Sequence, residues 1–161
     1  MSGIEIKVDA SEIARNIVPR FEALAELDRR ELLDHLGALG VSQTQRRIAE
    51  EKQSPDGVPW KPNRRGGSIL ELEGNLLTSQ HHEVESDEDV SWGSNLVYAG
   101  IHQEGGVITP KNKKRLVFRI GNQTIFATKV TIPARPYLGL SGDNKKDIVE
   151  ALNSWIDGLL Q

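Results

Sequence analysis

Three side chains that could carry acid–base chemistry lie close together in the stretch Trp92–Gly106. Tyr98 and His102 are four residues apart, so one helical turn would place their rings on the same face, and Glu104 follows closely. Gly105 suits the end of such a turn, because glycine reaches left-handed backbone conformations without steric cost. A Tyr, a His and a Glu in a glycine-framed turn are residue types of a general acid–base site. They equally suit a buried polar contact that stabilises the fold, and the function depends on which interpretation is correct.

An enzyme built on this turn would need a nucleophile or a bound group. The nearby hydroxyls belong to Ser91, Ser94 and Thr109, and none of them lies in the strained Gly-x-Ser-x-Gly turn that exposes a catalytic serine. The sequence contains no Gly-Lys-Ser/Thr of a phosphate-binding loop. A hydrolase or metal-dependent enzyme centred on His102 and Glu104 therefore stands as an alternative to a protein without catalytic residues.

Potential metal ligands are densest in the segment from His81 to Glu85. Adjacent residues of a strand point to opposite faces, so His81 and His82 would not converge on one ion. His81, Glu83 and Glu85 share a face, but a site there would also need partners that shield it. We predict a solvated strand face, with no metal and no cofactor.

Two charged segments of opposite sign are expected at the tips of hairpins. The segment Glu83–Asp89 carries five carboxylates, and Lys111–Arg115 carries four cations. Complementary tips are what a self-assembling or docking protein would show, whereas two solvated turns are the simpler explanation. The basic segment also raises the alternative of a DNA-binding accessory protein, although contact through it alone would be weak and strongly salt-dependent. The net charge of −3 gives no support for a general nucleic-acid binder.

A second notable segment, Ile132–Gly139, contains two prolines three residues apart. These prolines fix two φ angles and push the residues before them, including Arg135, into extended conformations. Arg135 would then be held rigidly, as suits a bidentate carboxylate or a cluster of backbone carbonyls, and Tyr137 would anchor the segment. The structural interpretation is that this segment leads out of a strand and fixes the position of the C-terminal helix.

Composition bounds the class of protein. At 161 residues the chain is most economically a single domain, residues 1–161, and 37% hydrophobic with 27% charged residues suits a globular protein. The absence of cysteine excludes disulfides, thiolate metal sites and cysteine nucleophiles. The sequence shows no signal peptide and no apolar run of transmembrane length, so we expect a soluble compartment and no membrane partner.

The first half of the chain predicts a strand and then helices. Alternation over Ile4–Val8 indicates a short strand, and a capping box opens a helix from about Ser11 toward Leu27 that Pro19 should kink or divide. A second helical stretch runs from about Asp28 to Lys52. Its candidate core positions are Leu32, Leu33, Leu36 and Ile48.

Two features weaken the prediction for this second stretch. Gly37 and Gly40 lower the helix propensity of its middle, so two shorter helices remain possible. Its second half, Gln43 to Lys52, is polar almost all round, and we predict that it projects into solvent or against a partner. The following residues, about 53–68, contain three prolines and three glycines and predict a loop, in which Trp60 would be an apolar anchor.

The second half of the chain predicts two hairpins and a helix. The first hairpin pairs about Ser79–Glu85 with Val90–Gly93, and the second pairs Leu116–Ile120 with Thr124–Ile132 across Gly121-Asn122. A C-terminal helix begins near Asp143, with Ser141 or Asp143 as its cap. The order predicts an α+β domain in which N-terminal helices and a C-terminal helix flank a small, mostly antiparallel sheet or partial barrel.

Four sequence blocks follow one another in a characteristic order. They are Pro55–Trp60, Leu72–Leu76 with Ser79, Trp92–Asn95 with Tyr98–Gly106, and Ile132–Gly139. Together these blocks resemble the phage virion morphogenesis family, the tail-completion proteins of Mu-like tailed phages and prophages. The resemblance covers roughly residues 44 to 160, and four blocks in the right order make it specific. Ile48 departs from it, because an aromatic residue would be expected there.

The resemblance implies a non-enzymatic assembly protein that finishes the tail or neck at the head–tail junction, usually as a homo-oligomeric ring. Its implied partners are copies of itself and phage tail-tube, terminator or head-connector proteins, first in the host cytoplasm and then in the virion, at the head–tail junction or tail end. It implies no catalytic residue, and it makes the signature residues determinants of fold and interface. The candidates are Trp60, Trp92, Tyr98, His102, Gln103, Arg135 and Tyr137.

Overall fold

The computed structural model describes residues 28–64, 66–71 and 73–159 of the chain. The predicted strand Ile4–Val8 and the predicted helix from Ser11 to Leu27 lie outside these residues. Within them the α+β class is confirmed, with one long helix before the strands and one after them. No helix in the described ranges is long and apolar enough to span a membrane.

Helix α1 spans Arg29–Arg46 and begins at Asp28, whose carboxylate accepts hydrogen bonds from the backbone N–H groups of the next turn. The helix runs without a break through Gly37 and Gly40, so the division into two shorter helices was wrong. A π-helical turn, Arg47–Glu51, follows directly and ends at Lys52, whose φ is 53°. The single extra residue of a π turn rotates the side chains that follow it, and such turns often lie at functional sites.

Six strands pair two by two as antiparallel ladders in the described part of the chain. The strands are β1 Gln80–Val84, β2 Val90–Ser94, β3 Gly106–Ile108, β4 Leu116–Ile120, β5 Gln123–Ala127 and β6 Val130–Ile132. The hairpin β1–β2 and the hairpin β4–β5 confirm the two predicted hairpins. Short β3 pairs with β6, so the predicted strand Thr124–Ile132 is divided between two ladders. These ladders form three separate two-stranded sheets rather than one sheet or a partial barrel.

This pairing corrects the prediction for Lys111–Arg115. Because β3 pairs with β6 and not with β4, the basic segment is a connection between two sheets rather than the tip of a hairpin. The acidic segment does contain the β1–β2 turn.

The described residues contain three further helices. Short α2, Asn75–Thr78, precedes β1, and α3, Ala99–Glu104, is the predicted turn before β3. Helix α4 spans Gly142–Leu159, and the Ser141 hydroxyl lies 3.1 Å from the Asn144 backbone nitrogen, which confirms Ser141 as a cap.

The apolar core is small and lies where α1, the loop after it, α2, α3 and the segment before α4 meet. Of the predicted core positions, Ile48 on the π turn is completely buried, whereas Leu32, Leu33 and Leu36 on α1 are only half-buried. The buried apolar residues are Ile48, Trp60, Leu76, Ala99 and Tyr137. Polar side chains supply the rest of the buried volume, among them Gln43, Thr44, Arg47 and Asn144. The prediction that residues 43 to 52 project into solvent or against a partner was therefore wrong.

Candidate functional site

The segment Ile132–Gly139, here called the closing segment, connects β6 to the cap of α4, and beyond Ile132 it pairs with no strand among residues 28–64, 66–71 and 73–159. Its backbone polar groups must therefore find other partners, because buried N–H and C=O groups are costly to leave unpaired. Side chains from three separate parts of the chain supply these partners. They form the best-defined polar site in the described residues, and most of the candidate residues meet there.

Arg47, on the π turn, binds the C-terminal half of the closing segment. Its side chain is fully buried, and one guanidinium nitrogen donates to the carbonyl oxygens of Tyr137 and Gly139, each at 2.9 Å. The other terminal nitrogen donates to the side-chain oxygen of Asn144 at the start of α4. Burial lowers the pKa of Arg47, while nearby Glu51, 3.7 Å away, acts in the opposite direction. One buried cation therefore ties the end of α1, the closing segment and α4 together.

Gln103, on α3, binds the same stretch from the other side. Its side-chain oxygen accepts hydrogen bonds from the backbone N–H groups of Tyr137 at 2.9 Å and Leu138 at 3.0 Å. Its nitrogen donates to the Leu138 carbonyl at 3.4 Å. A single amide side chain therefore satisfies three backbone groups of the closing segment, two N–H groups and one carbonyl.

Trp60 and Arg135 join the loop after the π turn to the closing segment. The Trp60 indole, 6% exposed, donates to the carbonyl oxygen of Pro136 at 3.1 Å. Arg135, 5% exposed, donates through two nitrogens to the Lys61 carbonyl at 3.0 and 2.9 Å. The sequence-based expectation that a rigid arginine would bind backbone carbonyls describes this contact, with the loop as the acceptor.

Tyr98 and His102 lie on one face of α3 as their spacing indicated. Their ring centroids are 5.8 Å apart with the planes nearly perpendicular, and Tyr98 is 41% exposed. Backbone hydrogen bonds connect this turn to the closing segment, because the Arg135 N–H donates to the His102 carbonyl at 2.8 Å. The Tyr137 hydroxyl also donates to the Ala99 carbonyl at 3.4 Å, and burial raises the pKa of Tyr137.

The His102 ring is poorly placed to act as a base. Its Nδ1 atom is buried and has no hydrogen-bond partner in the described part of the chain, whereas a catalytic imidazole is usually oriented by an acceptor at that position. Burial lowers the pKa of His102, and the positive charge of Arg135 lowers it further. Glu104 is exposed. Ser94, one of the candidate nucleophiles, shares a hydrogen bond with the Ser79 hydroxyl at 2.7 Å.

The other candidates lie on the β1–β2 hairpin, away from the closing segment. The indole of Trp92 packs on Gly40 of α1, and His82 packs on Gly37 while its Nε2 contacts Asp34 at 2.8 Å. His81 is exposed on the opposite face, as strand alternation required. Within residues 28–64, 66–71 and 73–159, no three His, Asp or Glu side chains are grouped to hold a metal ion.

Sequence reasoning missed Arg47, Gln43 and Asn144. A usable signal was present, because Gln43, Thr44, Arg47 and Ile48 repeat at helical spacing and so share one face with Gly40. A face that combines glycine, isoleucine and polar residues indicates burial against hydrogen-bonding backbone, but its acceptors lie about ninety residues further along the chain.

Nearly the whole chain is similar to one known protein family. The model of the phage virion morphogenesis family matches residues 9–157, nearly the whole chain. The chain belongs to the phage virion morphogenesis family. The resemblance inferred from the sequence blocks is thereby confirmed, and the closing segment and the α3 turn lie inside the region that defines this family.

One curated relative is the putative capsid assembly protein G of Escherichia phage Mu. It is 33% identical over 95 residues, which cover 59% of this chain and 51% of the Mu protein. The chain therefore matches about half the length of that relative. No solved structure matches the chain. Membership of the family supports a role in building a phage particle.

Proposed function

We propose that this virion morphogenesis protein acts without catalysis in tail completion and head–tail joining, as a subunit of a homo-oligomeric ring. In this proposal residues 1–161 form one domain that assembles in the host cytoplasm and remains at the head–tail junction or tail end. Its partners are its own copies and tail-tube, terminator or head-connector proteins. It requires no cofactor, membrane or specific nucleic-acid contact.

The observation that carries the proposal is the use made of the polar signature residues. Gln103 and Arg135 bind backbone groups of the closing segment and the loop, and the buried Nδ1 atom of half-buried His102 meets no orienting acceptor among the described residues. Such contacts stabilise a particular subunit shape instead of facing a substrate. The similarity to the putative capsid assembly protein of phage Mu supports this role. In the proposal Trp60, Trp92 and Tyr137 are determinants of the fold, while the exposed edge of Tyr98 can also meet a neighbouring subunit.

Loss of the gene from its phage tests the proposed role. We expect filled heads without tails, together with tails whose ends are incomplete, and electron microscopy of the lysate would show both. Supplying the wild-type gene from a plasmid should restore joined particles. Tails of normal form, joined to heads in the absence of the protein, would contradict the proposal.

Replacement of His102 by alanine distinguishes assembly from catalysis. An enzyme centred on His102 and Glu104 would stay folded and would still assemble into particles while losing its activity. The proposed role predicts a lower free energy of unfolding or fewer completed particles, measured by denaturant unfolding and by particle counts. A folded His102→Ala protein that enters particles at wild-type levels but blocks infection would favour the enzyme.

A further inference from the structure

Charge is divided sharply along this chain. From Glu71 to Glu104 the sequence has eight Asp and Glu residues and no Lys or Arg, whereas from Gly105 to Gly142 it has seven Lys and Arg residues and no Asp or Glu. The first stretch includes the β1–β2 hairpin and the second includes the β4–β5 hairpin. Each subunit therefore carries an acidic hairpin, β1–β2, and a basic segment, Lys111–Arg115, that leads into the β4–β5 hairpin of a separate sheet.

The β4–β5 hairpin exposes apolar surface next to the basic segment. Val117 on β4 and Phe126 on β5 are paired in register, and they are 59% and 61% exposed. Arg119 and Thr124 are paired two positions further along the same ladder. They are exposed on the same face as Val117 and Phe126, because strand residues two apart point the same way. The segment Lys111–Arg115 leads directly into this strand, and none of the ion pairs among the described residues involves its four cations. We call this combined surface the basic arm.

The acidic hairpin β1–β2 offers a surface of opposite charge to the basic arm. One face of β1–β2 packs on α1, while His81, Glu83 and Glu85 are exposed on the other. Ser91 lies opposite Glu83 in the ladder and is a small neighbour that leaves room for an incoming side chain. Glu88 is exposed in the turn. We call this surface the acidic face.

We propose that the basic arm of one subunit binds the acidic face of a second copy of this chain. The inference rests on the proposed ring and identifies the surfaces that would form it. The two surfaces are different patches of the same chain, so the contact is heterologous and propagates from subunit to subunit until the rotation closes a ring. Opposite potentials orient the approach, and Val117 with Phe126 supplies apolar area that becomes buried.

Charge reversal on each surface tests the contact. The acidic-face variant replaces Glu83, Glu85 and Glu88 with lysine. It keeps the hydrogen bonds that Asp87 accepts from Arg30 and that Asp89 accepts from Ser86. The basic-arm variant replaces Lys111, Lys113 and Lys114 with glutamate. Analytical ultracentrifugation of the full chain over a range of protein and salt concentrations gives the dissociation constant for self-association. We expect each variant to associate roughly 100-fold more weakly than wild type, because like charges would then face each other.

Restoration is the decisive result. A chain with both sets of reversals, or an equal mixture of the two variants, should associate again, since opposite charges face each other once more. Lys145→Glu with Lys146→Glu on α4 is the matched control and should associate like wild type. Phe126→Ser should weaken association, whereas Val149→Ser, at a residue that is 55% exposed on α4, should not.

Three outcomes would overturn the inference. These are a wild-type protein that stays monomeric at every concentration, an oligomer indifferent to both reversals, and duplex DNA binding at physiological salt that the basic-arm variant loses while its oligomer persists. None of them depends on the phenotype of a phage lacking the gene. Failure of this contact and failure of the proposed assembly role are therefore separable.

Discussion

The indole ring of Trp92 lies against Gly40 so closely that a methyl group at Gly40 would come within 2.6 Å of two of its ring carbons. One turn earlier, a methyl group at Gly37 would come within 2.6 Å of the His82 ring. The two glycines therefore allow the β1–β2 hairpin to pack directly on the backbone of α1. A helix glycine normally costs stability relative to alanine, so the close packing must outweigh that cost.

Gly40→Ala should accordingly destabilise the protein in spite of the higher helix propensity of alanine. We expect a loss of about 1–3 kcal/mol in the free energy of unfolding, as is usual for overpacking, measured by denaturant titration. Gly158→Ala on α4 is the control, because a methyl group there meets no described atom within 4 Å, and its effect should be neutral or stabilising. Equal effects at the two glycines would show that the contact with Trp92 does not constrain the helix.

Arg47→Met should be among the most damaging single changes. It leaves the carbonyls of Tyr137 and Gly139 and the side-chain oxygen of Asn144 without their donor, at an expected cost of about 3–5 kcal/mol in the free energy of unfolding. The adjacent Arg46 has a 46% exposed side chain that pairs with Glu51 at 3.0 Å, so Arg46→Met should cost less than about 1 kcal/mol. Chemical denaturation of the two variants side by side makes the comparison. A similar loss at both positions would contradict the assigned role of Arg47.

Gly105→Ala should separate α3 from the closing segment. Gly105 has φ of 74° and ψ of 178°, and a methyl group there would lie 2.6 Å from the backbone nitrogen of Ala134. That conformation is essentially restricted to glycine, and we expect a loss of about 3 kcal/mol or more from strain and overlap together. Gly121→Ala in the β4–β5 turn also has a positive φ, 58°, but has open space around it, and should cost only about 1 kcal/mol. Thermal unfolding midpoints in that order, wild type above Gly121→Ala above Gly105→Ala, would support the assignment.

His102 should make stability depend on pH below neutrality. Burial and the charge of Arg135 lower its pKa in the folded protein, so the unfolded chain binds the proton more readily. The contribution of neutral His102 to the free energy of unfolding is fully present above the pKa of the unfolded chain, about 6.5. It is lost as the pH falls through the lower pKa of the folded protein. The free energy of unfolding of the wild type should therefore fall more steeply between pH 7.5 and pH 5, roughly the range in which histidine titrates, than that of His102→Phe. Parallel slopes for the two proteins would show that His102 does not contribute.

The sequence predicted the elements better than it predicted how they pack. Both hairpins and the Ser141 cap followed from alternation and turn residues, which are local signals. Division of the strands among three sheets did not, because β3 and β6 meet across more than twenty intervening residues and nothing local indicates that pairing. Gly37 and Gly40 were interpreted through helix propensity alone, whereas their role depends on the two rings that lie against them.

The candidate site shows the same limit. Proline spacing in the closing segment predicts a rigid Arg135, since φ restriction is a property of the local sequence, but it leaves a carboxylate and backbone carbonyls equally open as acceptors. The structure shows the carbonyl of Lys61. The polar character of Gln43 to Lys52 predicts projection into solvent or against a partner, and the burial of Arg47 could not be predicted because its acceptors lie far along the chain. Polar character in a sequence indicates solvent only where no such acceptor is available.

In the described part of the chain, side chains and not a neighbouring strand bind the closing segment, and this restricts how its length can vary. A strand in a ladder can slip by two residues and recover its hydrogen bonds, because every neighbour offers the same repeating backbone groups. Arg47 and Gln103 offer single fixed groups, so one inserted or deleted residue between Pro133 and Gly139 would place both opposite the wrong peptides. Natural length differences among relatives should therefore accumulate in the turns of the hairpins and leave this stretch at constant length.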